Sequence, residues 1–150
     1  MQHALELASK AQYEGEVPVG AVVVLDDKVI GEGCNQPISS HDPTAHAEVV
    51  ALRHAAKELG NYRLVDATLY VTLEPCIMCI GAIMHARIRR LVFGASDPKA
   101  GAIQSIYTIP EDKKLNHTIQ VDSGILAKEC GELLSNFFRR RREEHKKVKQ

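Results

Sequence analysis

The hydrophobic pattern of the chain switches between helical and strand-like periods, and each switch marks an element. Apolar residues recur at helical spacing over residues 1–14, and Gly15 ends this predicted helix. A β-branched run then turns back at Asp26 and Asp27, which predicts a hairpin. The full pattern predicts helices at residues 1–14, 45–60, 75–86 and 126–147 and strands at residues 17–25, 28–34, 67–73, 88–93 and 118–121.

The order of these elements predicts the fold class. The first strand is apolar almost throughout, so we expect it to be buried on both faces, with helices on each side of the sheet. The strands at 67–73 and 88–93 are joined by a helix and should run parallel, whereas the hairpin is antiparallel. The prediction is an α/β fold, a three-layer α/β/α sandwich with a central mixed five-stranded sheet, in which residues 1–150 form one domain.

Composition narrows the possible classes of protein. The chain has 150 residues, 45% of them apolar, but no apolar run of about 18 residues, so we expect no membrane span and no secretory leader. Cys34 and Cys130 are isolated, and the other two of the four cysteines form a C-x-x-C motif. A reducing, cytoplasmic location is therefore expected.

Charge is distributed unevenly along the chain. The formal net charge is zero, yet residues 139–150 hold seven basic and two acidic side chains, so the rest of the chain carries the compensating negative charge. Such a basic tail is typical of nucleic-acid contact. It is also typical of a solvated helix end, because cations near a helix C-terminus interact favourably with its dipole. Charge alone leaves both interpretations open.

Two short stretches carry the candidate chemistry. Residues 46–48 (His-Ala-Glu) supply an imidazole and a carboxylate, and residues 75–79 (Pro-Cys-Ile-Met-Cys) supply two thiols. On a helix the two sulfurs share one face, and a helix N-terminus favours the thiolate form that binds metal. Imidazole and thiolate are zinc ligands. The predicted ligands are therefore His46, Cys76 and Cys79.

The helices that carry these residues are predicted to begin beside them. Pro75 suits a first helical turn, and Thr44 can cap the helix at 45–60. Because His46 and Glu48 lie on nearly opposite sides of that helix, both can address one ion only if the ion lies beyond its N-terminal end. Two helix N-termini would then converge on one zinc ion.

Three protein ligands leave one coordination position open for water, as in catalytic zinc sites. Zinc lowers the pKa of bound water to about 7, and Glu48 remains free to move its proton. A C-x-x-C motif by itself could instead be a redox pair or half of a structural zinc site. The main structural alternative is a closed zinc site with His41, Cys34 or His54 as the fourth ligand, which leaves Glu48 without a role.

The two motifs resemble the signature of zinc-dependent cytidine and deoxycytidylate deaminases, H-x-E followed by P-C-x-x-C. Over nearly the whole chain the sequence is most similar to one branch, the bacterial tRNA-specific adenosine deaminases, although guanine and other base deaminases share parts of it. The segments that carry the resemblance are Glu16-Val17-Pro18-Val19-Gly20-Ala21, Gly31-Glu32-Gly33-x-Asn35, His41-Asp42-Pro43-Thr44-Ala45-His46-Ala47-Glu48, Leu73-Glu74-Pro75-Cys76-x-Met78-Cys79, Phe93-Gly94-Ala95-x-Asp97 and a basic helix after Phe137-Phe138.

This resemblance implies a cytidine deaminase-like fold and a specific reaction. His46, Cys76 and Cys79 would bind one zinc ion per subunit, and Glu48 would be the general acid/base. The implied activity is that of a tRNA adenosine deaminase, which hydrolyses the wobble adenosine of the anticodon loop to inosine. Zinc-bound hydroxide would attack C6 of adenine while Glu48 carries a proton to N1.

The resemblance also implies substrate contacts and partners. Asn35 would hydrogen-bond the target nucleoside, Val17 and Pro18 would form a wall of the base pocket, and Asp97 would lie near the neighbouring nucleotides. The implied partners are a tRNA anticodon stem-loop and a second copy of the chain in a homodimer. The residues implied to contact tRNA phosphate are Arg139, Arg140, Arg141 and Arg142.

Two other classes of protein remain open on the sequence. A free-nucleotide or free-base deaminase would have the same zinc site but no use for a basic tail. A non-catalytic zinc protein that binds RNA would use a fourth protein ligand and would tolerate loss of Glu48.

Overall fold

The computed structural model describes all 150 residues, and it contains every helix and strand that the hydrophobic pattern predicts, with ends displaced by at most three residues. A short 3-10 helix, Ile109–Glu111, lies in the long loop before the last strand. The elements are α1 (Gln2–Tyr13), β1 (Gly20–Leu25), β2 (Lys28–Cys34), α2 (Ala47–Leu59), β3 (Thr68–Leu73), α3 (Ile77–His85), β4 (Arg90–Ala95), β5 (Gln120–Ser123) and α4 (Ala127–Val148).

The five strands form one mixed sheet in the order β2-β1-β3-β4-β5. Strand β1 pairs antiparallel with both β2 and β3, and β3, β4 and β5 run parallel. The hairpin turn uses Asp26 and Asp27 at φ 50° and 61°, the left-handed conformation that a two-residue type I′ turn requires. The predicted mixed sheet is therefore confirmed, and the C-terminal ends of β3 and β4 lie side by side.

Helices cover both faces of the sheet, as the three-layer prediction requires. Helices α1 and α4 pack on one face, and α2 and α3 pack against each other on the other. Val23, Leu69 and Leu91 are fully buried within the main hydrophobic cluster. None of the helices combines the length and apolar character that a membrane crossing needs.

Two glycines of β2 set the position of α2. A Cβ atom at Gly33 would lie 2.3 Å from the Ala47 carbonyl oxygen, and one at Gly31 would lie 2.4 Å from that of Ala51. Only glycine therefore allows the helix backbone to lie directly on the strand. This contact fixes the N-terminus of α2, which carries two of the candidate site residues.

The long C-terminal helix buries a narrower stripe than its sequence predicts. Cys130, Leu134 and Phe137 are buried, but Phe138 is 44% exposed. The apolar pattern would place both Phe137 and Phe138 on the inner face, but only Phe137 is buried, because adjacent helix positions are about 100° apart and cannot share a narrow buried stripe. Phe138 instead contributes an aromatic ring to the surface.

Candidate active site

The first two site residues lie at the N-terminus of α2. His46 is the N-cap residue, in an extended conformation, and Glu48 lies in the first turn. Thr44 does not cap this helix, because its hydroxyl donates to Asp42 Oδ1 at 2.7 Å. The Ala47 amide instead donates to Asn35 Oδ1 at 2.8 Å. The cap thus comes from the preceding loop and leaves the His46 side chain free for another partner.

The two thiols lie at the N-terminus of α3. Cys76 is the N-cap residue, with φ −78° and ψ 177°, and Cys79 lies within the first turn. Pro75 therefore precedes the N-cap and is not in the first turn, because the extended backbone at Cys76 delays the start of the helix by one residue. The expectation that two helix N-termini converge on one point is confirmed for these side chains.

The imidazole and the two sulfurs form one compact cluster. His46 Nδ1 lies 3.6 Å from Cys76 Sγ and 3.5 Å from Cys79 Sγ, and all three ligand atoms lie within 4.8 Å of one another. A nitrogen and a sulfur bound tetrahedrally to one zinc ion at ordinary bond lengths would be about 3.6 Å apart. The cluster therefore fits a zinc ion without rearrangement.

The same cluster contains no fourth protein ligand. His41, Cys34 and His54 do not belong to it, and His54 Nδ1 instead accepts a hydrogen bond from the Glu32 amide. A closed zinc site built with any of these residues is therefore not supported by the geometry. A tetrahedral ion held by three ligands would keep one position for a small molecule.

The Glu48 carboxylate is also outside the cluster, although it is close enough to interact with it. Its residue is only 4% exposed. Burial raises the pKa of Glu48, and the hydrogen bonds from its own backbone amide and from Cys79 only partly oppose the shift. A buried carboxyl with a raised pKa beside a metal cluster suits proton transfer.

The pKa values of the two thiols are shifted in opposite directions. A hydrogen bond from the Cys79 thiol lowers the pKa of Cys76 to about 3, and His46 adds to this effect. The same contact, together with burial, raises the pKa of Cys79, and the contact with Cys76 raises that of His46. The lowered pKa of Cys76 favours its thiolate, the form that binds a metal cation.

A groove of about 570 Å³ lies between α4 and the loop that follows β4. Val17 and Asp97, two predicted substrate residues, both line it, but Pro18 is buried and does not. Leu73, the last residue of β3 and three residues before Cys76 in the chain, also lines the groove. Its α4 wall is formed by Gly131, Leu134, Ser135, Phe138 and Arg142.

Asp97 has a structural role in its own loop. Its Oδ1 atom accepts hydrogen bonds from the Lys99 amide at 3.0 Å and the Ala100 amide at 3.2 Å. This arrangement is an Asx-type turn, which fixes the direction of the chain along the groove.

The four arginines do not occupy equivalent positions. Arg141 donates to the Gly15 carbonyl oxygen at 2.6 Å and stacks over the Phe137 ring at 5.1 Å, so it joins α4 to the end of α1. The other three are exposed, and Arg142 is the one that lines the groove. Sequence reasoning could not separate them, because the tethering contact spans the whole length of the chain.

Two buried carboxylates beside the site were not predicted from the sequence as site residues. Glu16 is 1% exposed and accepts hydrogen bonds from the Ile38 and Ser39 amides. Glu74 is 2% exposed and accepts from backbone amides of the loop after β4. In the sequence, Glu16 directly precedes Val17-Pro18 and Glu74 directly precedes Pro75, and both belong to segments that carry the family resemblance.

Comparison with known proteins places the geometry in context. Residues 1–95 match the family model of the cytidine and deoxycytidylate deaminase zinc-binding region. A relative from Haemophilus influenzae, named tRNA-specific adenosine deaminase, is 61% identical over 147 residues, which are 97% of this chain and 85% of that protein.

Solved structures agree with this sequence similarity. One from studies of A-to-I editing by tRNA:A34 deaminases at the wobble position of transfer RNA matches with a TM-score of 0.87 and 47% identity, over 89% of this chain and 97% of that one. A guanine deaminase from Nitrosomonas europaea matches with a TM-score of 0.75 over 91% of this chain and 81% of that one. Its 24% identity supports the fold alone.

Proposed function

This chain belongs to the cytidine and deoxycytidylate deaminase zinc-binding family, among the tRNA-specific adenosine deaminases, and we propose that it converts the wobble adenosine of a tRNA anticodon loop to inosine. The observation that carries the proposal is the three-ligand cluster of His46, Cys76 and Cys79 beside the buried carboxyl of Glu48. This combination suits hydrolysis at a carbon that bears an amino group.

His46, Cys76 and Cys79 would hold one zinc ion in each subunit. When bound there, the ion supplies the Lewis acidity that makes water a nucleophile near neutral pH. The three side chains fix its position between two helix N-termini, whose partial positive charge stabilises the thiolates.

Glu48 moves the protons of the reaction. Its carboxylate accepts a proton from the attacking water, whose oxygen adds to C6 of adenine, and then delivers that proton to N1. The amino group leaves as ammonia after a second proton transfer, and inosine remains. Burial supports this role, because the raised pKa of Glu48 lets it hold a proton between the two transfers.

Asn35 is the first residue that would contact the target base. Its Oδ1 atom is already engaged by the Ala47 amide, whereas its side-chain nitrogen donates to no group of the protein. Asn35 directly follows β2, and its hydrogen bond to the Ala47 amide holds its side chain beside the helix end that carries His46. We assign its side-chain nitrogen to an acceptor on the target nucleoside. Val17, which lines the groove, would contribute to the wall of the base pocket, and the buried Pro18 would support Val17 from behind.

The groove along α4 would hold the nucleotides next to the target. The exposed ring of Phe138 offers a surface on which a base can stack, and Arg142 offers a charge for phosphate. Asp97 would face these nucleotides from the other wall. Arg139 and Arg140 would extend the phosphate contacts, whereas the tethered Arg141 would act indirectly by holding α4 in place.

A second copy of the chain would complete the enzyme as a homodimer. Helix α3 exposes 58% of Ile77, directly after Cys76, and a Cβ atom at Gly81 would meet nothing within 4 Å. An apolar helix face with an open small residue allows close approach of another helix. Because the substrate is tRNA, the reaction would take place in the cytoplasm.

Incubation of the zinc-loaded protein with defined substrates tests the proposal. An anticodon stem-loop RNA with adenosine at the wobble position, free adenosine, cytidine and guanine are compared, and inosine, uridine and xanthine are measured. We expect inosine in the RNA alone. Product from a free base or nucleoside with inert RNA would assign the protein to small-molecule deamination, and no product with zinc bound would favour a non-catalytic zinc protein.

A matched pair of variants tests the role of Glu48. Glu48→Gln keeps the shape of the side chain and should retain zinc, but it should lower kcat by about 10²- to 10⁴-fold, the usual contribution of general acid–base catalysis. Glu58→Gln makes the same change at an exposed position of the same helix and should leave kcat unchanged. A near-normal rate for Glu48→Gln would contradict the proton-transfer role.

A further inference from the structure

Glu74 is a buried carboxylate that the reaction described above does not use. It follows the last residue of β3 and is 2% exposed. Its Oε2 atom accepts the amides of Ile103 at 3.1 Å, Gln104 at 3.0 Å and Ser105 at 3.1 Å. Its Oε1 atom accepts the Asp97 amide at 3.0 Å and the Ser105 hydroxyl. A single side chain thus binds both ends of residues 97–105, here called the 97–105 loop.

The 97–105 loop is shaped to enclose this carboxylate. Three successive amides converge on Oε2, an arrangement that favours an anion. A Cβ atom at Gly101 would lie 2.3 Å from Glu74 Cδ and 2.4 Å from Oε2, so only glycine lets the loop close over the side chain. The fit on both sides indicates that this loop conformation depends on the Glu74 carboxylate.

The same loop forms one wall of the groove described above. Asp97, Pro98 and Lys99 line that wall, and Asp97 Oδ1 binds the amides of Lys99 and Ala100 within the turn. The turn is fixed internally, so its position relative to the body depends on its attachments. The attachment at Asp97 itself is the hydrogen bond from its amide to Glu74.

Glu74 also lies next to the metal-binding segment. Pro75 and Cys76 follow it in the chain, and the Pro75 carbonyl oxygen accepts the Ala102 amide at 2.9 Å. The groove wall and the proposed zinc ligand therefore share one point of attachment at the end of β3. A displacement of the loop would therefore move the groove wall relative to the proposed zinc ligands.

We propose that Glu74 is a positioning residue that holds the 97–105 loop, through the Asp97 amide, at the separation from the zinc ligands that lets the RNA occupy the groove. The inference rests on the proposed function for its substrate. Glu74 acts on binding of the flanking nucleotides and touches neither the target base nor the reacting atoms.

The test compares Glu74→Gln with Glu16→Gln. The two glutamates are equally buried, but Glu16 binds the Ile38 and Ser39 amides on a different loop. Replacing the carboxylate with an amide places an NH₂ group, itself a donor, against backbone amides that are also donors. It also removes the negative charge that strengthens their hydrogen bonds. We expect amide hydrogen exchange at residues 103–105 to become about tenfold faster in Glu74→Gln, the factor that follows from one weakened charged hydrogen bond. Exchange at these residues should not change in Glu16→Gln.

Kinetics on the anticodon stem-loop RNA provide the second readout. In Glu74→Gln we expect KM to rise by about tenfold with a smaller change in kcat and with zinc content unchanged. Asp97→Ala removes the side chain that fixes the turn internally and should raise KM as well. The double variant should show less than the product of the two effects, because both changes displace the same groove wall. A fully multiplicative effect would overturn the coupling through Asp97.

Other outcomes would also overturn the proposal. These are unchanged exchange and KM in Glu74→Gln, or a fall in kcat accompanied by loss of zinc, which would assign Glu74 to the metal centre. If Glu74→Gln does not fold, Ser105→Ala provides a milder test, because it removes one hydrogen-bond donor and keeps the Glu74 charge. It should shift amide exchange and KM in the same direction by a smaller factor. The absence of any shift would overturn the proposal. An inert wild-type protein would count against the proposed function, and the exchange data would then decide the role of Glu74 separately.

Discussion

Substitution of Asn35 separates two roles that the structure combines in one side chain. Its oxygen accepts the Ala47 amide at 2.8 Å and so caps α2, and its nitrogen is the proposed donor to the target nucleoside. Asn35→Asp keeps an acceptor for the helix but replaces the donor with a second acceptor. Asn35→Ala removes both groups.

The two variants should differ in stability. Loss of an N-cap contact costs about 0.5–2 kcal/mol, and in a chain of this length about 1 kcal/mol lowers Tm by roughly 2–4 °C. Asn35→Ala should therefore melt about 1–8 °C below the wild type. Asn35→Asp should melt close to the wild type, because a carboxylate is also a good cap and is favoured at a helix N-terminus.

The two variants should be similar in activity. A missing hydrogen bond to a buried substrate group costs about 1–3 kcal/mol, which corresponds to a fall of roughly 5- to 150-fold in kcat/KM for both. The assays are thermal unfolding of the zinc-loaded protein and inosine formation in the stem-loop RNA. Gln36→Glu makes the same amide-to-carboxylate change one residue along and should alter neither quantity. Wild-type activity in Asn35→Asp would refute the donor role, and a wild-type Tm in Asn35→Ala would refute the capping role.

Three further predictions concern the metal, proton binding and the basic helix. Chelation of zinc should lower Tm of the wild type in calorimetry, because a ligand at about 1,000 times its Kd adds about 4 kcal/mol to the free energy of unfolding. Cys76→Ala should instead have the same Tm with and without zinc. In the zinc-free protein the folded pKa of Glu48 is raised above its ordinary value of 4.5, so its stabilising contribution is complete below that pH and is lost as the pH rises. Urea unfolding should therefore show Glu48→Gln gaining stability relative to the wild type as the pH rises above 4.5. A difference that does not change with pH would contradict this. Arg141→Met should lower the free energy of unfolding in denaturant by about 1–2 kcal/mol, because it loses the contacts with Gly15 and Phe137. Arg140→Met should leave the free energy of unfolding unchanged. It should instead reduce the salt dependence of RNA binding by the amount expected for about one phosphate contact.

The parts of the molecule that could be predicted from the sequence depend on short-range spacing. The period of the apolar residues identified the four α-helices and the five strands, because each of these elements is stabilised by a buried face. It did not identify the short 3-10 helix, which has no buried residue. The cluster of His46, Cys76 and Cys79 was also predictable. Each ligand lies within one turn of a helix N-terminus, so only the meeting of two short segments had to be inferred.

The parts that could not be predicted depend on contacts between distant residues. The bond from the Ala47 amide to Asn35 spans 12 residues, those from the 97–105 loop to Glu74 span 23 to 31, and that from Arg141 to Gly15 spans 126. Such contacts follow from how the layers pack, which the local pattern does not specify. For this reason Asn35 could be predicted as a polar site residue but not as a helix cap.

The two helix N-termini of the site also show why local rules fail at this position. An N-cap residue normally accepts a hydrogen bond from the first turn, yet neither His46 nor Cys76 makes a side-chain cap contact. Both side chains instead point into the cluster that they form with Cys79. In α2 the capping hydrogen bond comes from Asn35, which lies in another segment. The helix end that holds His46 therefore depends on the same residue that we propose to contact the substrate. A change at Asn35 should therefore affect both metal position and base binding, and only variants that preserve the cap can separate the two effects.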